Sequence, residues 1–368
     1  MGSIRRLANG SYQARYRDPD NRVRGKSFKR RRDAARFLAA AETDKSRGQW
    51  IDPRNSRISF GQQAQAFVDG ARDWRPTTLA RAESLIGYRI LPTFENAPLG
   101  SIRRSHIQAW VSQLEADALS ASTIAGCYRL LAQIMASAVA DELIAKSPCR
   151  DIRLPEAARN EMLFLSPDEL ARVAAETGRY ETLVLCAGYL GLRWGELAGL
   201  RRARYNPLRR TIEVVEILVE VRGEMIAGEP KTKASRRTVP VPDFLVGRLN
   251  AYLVKRGNPS PEEWVFVGRD GAPLRDANFR RRVWKPAVER AGLPSALRFH
   301  DLRHTCVAFL IAAGHDAYRV SRHMGHASIK TTFDRYGHLF AGADDDRLRA
   351  GMDRLYKVKA MGQPSRES

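Results

Sequence analysis

Two polar stretches constrain this chain more than any other feature. Ser46 to Arg57 holds Gly48 and Pro53, and Cys149 to Glu161 holds Pro155 with Arg150, Arg153 and Arg159. Glycine and proline in polar surroundings punctuate regular structure, so both stretches read as linkers. A chain of 368 residues cut at these places makes two or three domains, each burying its own apolar residues. The expected segments are residues 1–57, 58–155 and 156–368.

Each segment has its own periodicity. In the first, Tyr12 to Tyr16 and Val23 to Phe28 have strand character. Asp18-Pro19-Asp20-Asn21 between them is a turn signal, and a helix with Ala34, Ala35, Phe37, Leu38 and Ala41 on one broad face follows. The second segment is all-helical. Its helices are Phe60 to Val68, Thr77 to Leu91 (Pro76 at the start, Pro92 closing it), Ser105 to Leu114 and Ala121 to Leu143. The last carries a stripe of Ile124, Leu130, Leu131, Ile134 and Val139. The third is mixed. Ser166-Pro167-Asp168-Glu169 is a capping box ahead of a helix, and Thr182 to Leu192 is an apolar helix. Thr211 to Val221 suits a strand, with turns at Arg222-Gly223 and Gly228, and helices return from Phe279 onward. The fold class is multidomain α+β: a small basic sheet with one helix, an all-helical domain, and a mainly helical domain with a small antiparallel sheet.

Charge narrows the partner. Sixty-two Lys and Arg against 41 Asp and Glu leave a net +21, a field that captures polyanions. Residues 1–57 alone hold 16 basic and 6 acidic side chains, about half of the excess. Nucleic acid is the first candidate. A membrane surface is disfavoured by the lack of a long uncharged apolar run. Met1 to Arg6 leads into polar sequence without an apolar core, so no signal peptide is expected. Cys127, Cys149, Cys186 and Cys306 are scattered without a C-x-x-C pair, which fits free thiols and the cytosol.

The chemistry concentrates near the C-terminus. In Gly191-Leu192-Arg193-Trp194-Gly195-Glu196-Leu197 an arginine sits between glycines that let a ligand or backbone approach closely. Glu229 to Arg237 is a basic loop holding Lys231 and Lys233. In His300-Asp301-Leu302-Arg303-His304 the imidazole of His300 and the guanidinium of Arg303 share a helix face. That pair suits a phosphate: arginine forks onto its oxygens and histidine exchanges protons near neutrality. Six of the seven histidines lie between positions 300 and 338, so zinc is the rival. His300 and His304 have the spacing of a zinc helix, but Arg303 between them opposes a cation and no Glu occupies the catalytic position of such a helix. Asp301 and His304 read as supporting residues, His304 as a packing one.

Arg193, Lys231, His300-x-x-Arg303, His326 and Tyr336, in this order and at these spacings, resemble the tyrosine recombinase (phage integrase) family. The local words GLRWGEL, KTKASRRTVPVP, HDLRHT and MGHAS, with Tyr336 ten residues past His326, carry the likeness over residues 160–340. The two N-terminal segments resemble, less specifically, arm-type and core-binding DNA-binding domains. The resemblance implies a DNA recombinase working through a 3′-phosphotyrosine. Tyr336 would be the nucleophile, and Arg193 and Arg303 would hold the nonbridging phosphate oxygens. Lys231, with Lys233 as the alternative, would protonate the leaving 5′-oxygen. His300 would assist proton transfer with Tyr336, His326 would hydrogen-bond the phosphate, and Glu196 would orient Arg193. Neither ATP nor metal is needed, because the covalent link keeps the bond energy. The implied partners are double-stranded DNA at core and arm-type sites, a homotetramer on synapsed DNA, and a host bending protein and directionality factor. The implied task is integrating and excising a phage or mobile element in a bacterial cytoplasm. Asp344 to Asp346 with Leu348, Met352, Leu355 and Tyr356 would form a C-terminal helix exchanged between subunits. A type IB topoisomerase-like enzyme and a catalytically inactive DNA-binding regulator are the alternatives. The extra N-terminal domain speaks against the first and the complete set of six against the second.

Overall fold

The computed structural model describes residues 2–18, 21–46, 55–156 and 161–340, with Arg349, Met352 and Asp353. Asp344 to Asp346, Leu348, Leu355 and Tyr356 lie outside the described residues, as does most of the first linker. The chain divides into two units, Met1–Arg159 and Asn160–Ser368.

Within the first unit the basic segment has its own small core. Strands β1 (Ser3–Arg6), β2 (Tyr12–Arg17) and β3 (Val23–Phe28) form an antiparallel sheet in sequence order, and helix α1 (Arg31–Ser46) follows. Ala14 and Tyr16 from the sheet meet Ala34, Leu38 and Ala41 from the helix, with Phe37 half-buried against them. Ala35 faces solvent instead. The segment is therefore folded, and its charge decorates a packed unit. Strand β1, with Ile4 as its one large aliphatic residue, lies beyond what periodicity reveals.

The helical segment consists of α2 (Phe60–Asp69), α3 (Pro76–Leu85), α4 (Leu91–Phe94), α5 (Arg104–Ala116) and α6 (Ala121–Ala140). Ile124, Leu130, Leu131 and Ile134 of α6 are buried against Ile86, Ile90, Ile107 and Val111, and Val139 is half-buried. By length and composition α6 could cross a membrane, but Arg129 interrupts it and its apolar face belongs to the helical core. Pro92 does not end its helix. A π-turn, Ile86–Ile90, joins α3 to α4, and Pro92 falls at the start of the latter. Proline lacks an N–H and clashes with the carbonyl four residues back; the wider turn accommodates both defects without breaking the rod. Pro286 repeats the device. It opens α12 (Lys285–Arg290) after a π-turn, Arg280–Trp284, that continues α11 (Asp276–Phe279).

The second unit opens with α7 (Pro167–Glu176), whose Ser166 cap accepts from the Glu169 amide while the Ser166 amide donates to Glu169 Oε2 at 2.8 Å. Helices α8 (Glu181–Leu190) and α9 (Trp194–Ala198) follow. Leu183, Val184, Cys186, Ala187 and Leu190 bury α8 on nearly every face, which makes it the centre of the core. Thr211 to Val221 is two strands, β5 (Thr211–Val214) and β6 (Ile217–Val221), in different sheets. β4 (Tyr205–Asn206), β5 and β8 (Arg237–Pro240) form one; β6 and β7 (Glu224–Gly228) form a hairpin. Arg222 and Gly223, with φ of 51° and 84°, make its turn. Lys231 and Lys233 consequently sit on a connection between two sheets, where a strand's period of two does not apply. Helix α10 (Asp243–Lys255) precedes the α11–α12 rod, and α13 (Asp301–Ala312), α14 (Ala317–Met324) and α15 (Ile329–Phe340) complete the described chain.

Candidate active site

The site grows from two left-handed turns. Helix α8 ends at Gly191 with φ of 65°. A Cβ there would lie 2.8 Å from Met324 and 3.0 Å from Cys306 Sγ, so glycine is required by conformation and space alike. Helix α14 ends the same way at Gly325, φ 63°. The His326 amide reaches back to the Ser321 carbonyl, a Schellman closure that turns His326 off the helix end. These turns leave the carbonyls of Gly191, Met324 and Gly325 free to accept.

Two arginines use them, and a third braces the second through a shared carboxylate. Arg303 on α13 is 5% exposed, and its two terminal nitrogens donate to the Gly191 and Met324 carbonyls. Burial, and then the like charge of Arg193, lower its pKa to about 9, which leaves it cationic at neutrality. Arg193, the N-cap of α9, donates from Nη1 to Glu196 Oε1 at 2.7 Å and from Nη2 to the Gly325 carbonyl at 3.4 Å. Arg237 on β8 donates to both oxygens of Glu196 at 3.0 Å and to the His323 carbonyl at 2.7 Å. Glu196 is 3% exposed. Burial alone would raise its pKa, but Arg237 and then Arg193 outweigh it and bring it to about 2. The carboxylate is thus the fixed anion that holds two cations at one point.

The imidazoles are neutral donors and acceptors. His326 pairs with Thr332 Oγ1 at 2.9 Å; burial, then Arg303 and Arg193, lower its pKa to about 4. His300 stands exposed at the N-cap of α13, where surrounding bulk and Arg303 also lower its pKa. Tyr336 on α15 is 1% exposed. Burial raises its hydroxyl pKa, and the charge of Arg303 works against that rise. Arg193, His300, Arg303, His326, Tyr336 and Glu196 therefore come together. Lys231 is exposed, and among the described residues no hydrogen bond ties it to this group.

Two features depart from the sequence expectations. The Tyr336 hydroxyl, which also meets Arg335, pairs with His304, whose Nδ1 lies 2.5 Å away; His300 stands behind it, its ring edge-on at 5.3 Å. Arg237, the second cation on Glu196, was not singled out. Its signal lies within KTKASRRTVPVP, but nothing in the sequence separates it from Arg236, which pairs with exposed Glu229. Among the described residues no three His, Cys, Asp or Glu side chains are grouped to hold a metal ion.

Comparison with known proteins bears on the family and the fold. The phage integrase family pattern matches residues 164–342. The phage integrase N-terminal domain pattern matches residues 1–47, and the N-terminal SAM-like domain pattern residues 68–114. A Mycobacterium tuberculosis protein named as a prophage phiRv2 integrase is 29% identical over 355 residues, 94% of this chain and 93% of that protein. A protein of Caldanaerobacter subterraneus named tyrosine recombinase XerC-like is 29% identical over 266 residues, 65% of this chain and 68% of its own. A solved structure of the Tn1549 transposon integrase in complex with transposon right end DNA superposes with a TM-score of 0.67 at 22% identity, covering 81% of this chain and 100% of that one. That last likeness concerns the fold. Fold and sequence together make this an enzyme of the tyrosine-type site-specific recombinase class. Within it, the chain belongs to the phage integrase family.

Proposed function

We propose that this recombinase integrates, and with helper proteins excises, a phage or other mobile element by cutting and rejoining DNA through a 3′-phosphotyrosine on Tyr336. One observation carries the reading: two arginines anchored on the carbonyls of Gly191, Met324 and Gly325 converge near His326 and Tyr336. A phosphodiester oxygen gaining charge during attack meets guanidinium groups that need no reorganisation.

The residue roles follow from chemistry. Tyr336 Oη attacks phosphorus and the bond to the 5′-oxygen breaks. Arg193 and Arg303 hold the nonbridging oxygens, and His326 hydrogen-bonds one of them. Lys231 protonates the departing 5′-oxygen, with Lys233 as the alternative. Glu196 orients Arg193. Rejoining reverses each step, so the bond energy is conserved and neither cofactor nor metal enters.

Residues 1–57 are the arm-type DNA-binding domain, 58–155 the core-binding domain and 156–368 the catalytic domain. The family patterns at residues 1–47 and 68–114 support the first two assignments. The partners are double-stranded DNA, three further copies of the chain on synapsed sites, a host bending protein and a directionality factor, in a bacterial cytoplasm. The test is Tyr336→Phe on a nicked suicide substrate. Binding should persist and the covalent adduct vanish; an adduct formed by the Phe chain refutes the assignment.

A further inference from the structure

Helix α13 sends two residues in different directions. Arg303 turns toward the carbonyls of the glycine turns, while His304, one residue on, turns into the space beneath α15 and meets Tyr336. Its Nδ1 lies 2.5 Å from the Tyr336 hydroxyl, and both side chains are buried. The roles in this contact depend on the imidazole tautomer; in the neutral tautomer with its proton on Nε2, Nδ1 accepts from the phenol. Nε2 faces Asp301 Oδ1 at 4.0 Å. Asp301 is itself fixed. It accepts from the Arg298 amide at 2.7 Å and from Arg298 Nη2 at 2.7 Å. Nucleophile, base and carboxylate thus follow one another, the carboxylate within ion-pair reach of the imidazole, the order that activates a weak nucleophile. Among the described residues His300, its ring edge-on to His304, makes no hydrogen bond to the tyrosine.

We propose that His304 is the group that takes the Tyr336 proton during cleavage and returns it during rejoining, with Asp301 as a positioning residue behind it. As the Tyr336 Oη–phosphorus bond forms and the phosphorus–O5′ bond breaks, the phenolic proton passes to His304 Nδ1. The resulting imidazolium is balanced by Asp301, and the departing 5′-oxygen takes its proton from the lysine. In rejoining, the 5′-hydroxyl attacks phosphorus and gives its proton back to the lysine, the bond to Tyr336 breaks, and His304 returns its proton to the leaving phenolate. The inference rests on Tyr336 being the nucleophile.

The full chain carrying His304→Asn keeps an acceptor near the place of Nδ1 but cannot hold a proton. On the suicide substrate it should form covalent adduct about 10²-fold or more slowly than the parent, while still binding DNA. A second measurement separates chemistry from support. In the Tyr336→Phe background, DNA ending in a 3′-p-nitrophenyl phosphodiester can be joined to a 5′-hydroxyl strand with nitrophenolate leaving, a group that needs no proton. Adding His304→Asn to that background should leave this joining rate alone. Loss of both reactions makes His304 a structural prop and overturns the proposal. Cleavage by His304→Asn as fast as the parent, or faster, overturns it too, the latter by making the contact a latch on the nucleophile. Adduct formation by Tyr336→Phe alone refutes instead the nucleophile assignment beneath it.

Discussion

Replacing Glu196 by Gln keeps the volume of the side chain and removes the charge on which two arginines converge. The carboxylate accepts from Arg193 Nη1, from both terminal nitrogens of Arg237 and from the Arg193 amide. Held at about 2 against an ordinary 4.5, it stabilises the folded chain by roughly 3 kcal/mol at neutral pH, each pH unit counting about 1.4 kcal/mol. An independent route agrees: removing one partner of a buried ion pair costs about 3–5 kcal/mol, and the Arg237 side chain that would be stranded is only 6% exposed. Because folding lowers this pKa, the contribution is complete above pH 4.5 and disappears as the pH falls through about 2. Native-state hydrogen exchange on peptides from α8 to β8 should therefore show opening easier by roughly 3 kcal/mol at neutral pH in the Gln chain. Urea unfolding at about pH 3 should bring the two chains closer together. A Gln chain within about 0.5 kcal/mol of the parent at neutral pH, the spread of ordinary surface substitutions, refutes the reasoning.

Other expectations follow from the same geometry. Gly325→Ala puts a Cβ 2.9 Å from the Ala234 carbonyl at φ 63°, a conformation costing about 1–2 kcal/mol in itself; strand cleavage should fall further than DNA affinity, as filter binding and suicide-substrate assays would measure. A 5′-bridging phosphorothioate, whose leaving sulfur needs little protonation, should rescue Lys231→Ala and not Arg193→Ala; rescue confined to Lys233→Ala moves the acid role to that residue. His304, His323 and His326, each lowered to about 4, refuse protons that the unfolded chain accepts. Stability should therefore fall as the pH drops from about 6.5 toward 4, a decline in Tm that a thermal scan across this range would follow.

The sequence was most legible where local rules act alone. The Ser166 cap, the Arg222-Gly223 turn and the buried stripe of α6 follow from residue type and spacing. It was least legible where punctuation is missing. Val214 to Ile217 holds no glycine or proline, so the passage from β5 to β6 reads as one strand although the chain changes sheets there. Pro92 reads as a stop because a π-turn leaves no compositional trace. At the site, Arg193, Arg303, His326 and Tyr336 stand out through motif order. The pairing of His304 with Tyr336 spans 32 positions and that of Arg237 with Glu196 spans 41, and only the tertiary fold brings either together.

Arg303 grips main-chain oxygens rather than side chains. Every residue type offers the same carbonyl, so this anchorage is indifferent to what stands at position 324 provided its bulk still fits beside Cys306. Saturation mutagenesis around the arginine should consequently return a sparse map: broad acceptance at most lining positions, sharp intolerance at Gly191 and Gly325, where the path of the backbone is itself at stake. A family member could thus exchange most of the neighbours of this arginine during evolution and keep it aimed at the same point.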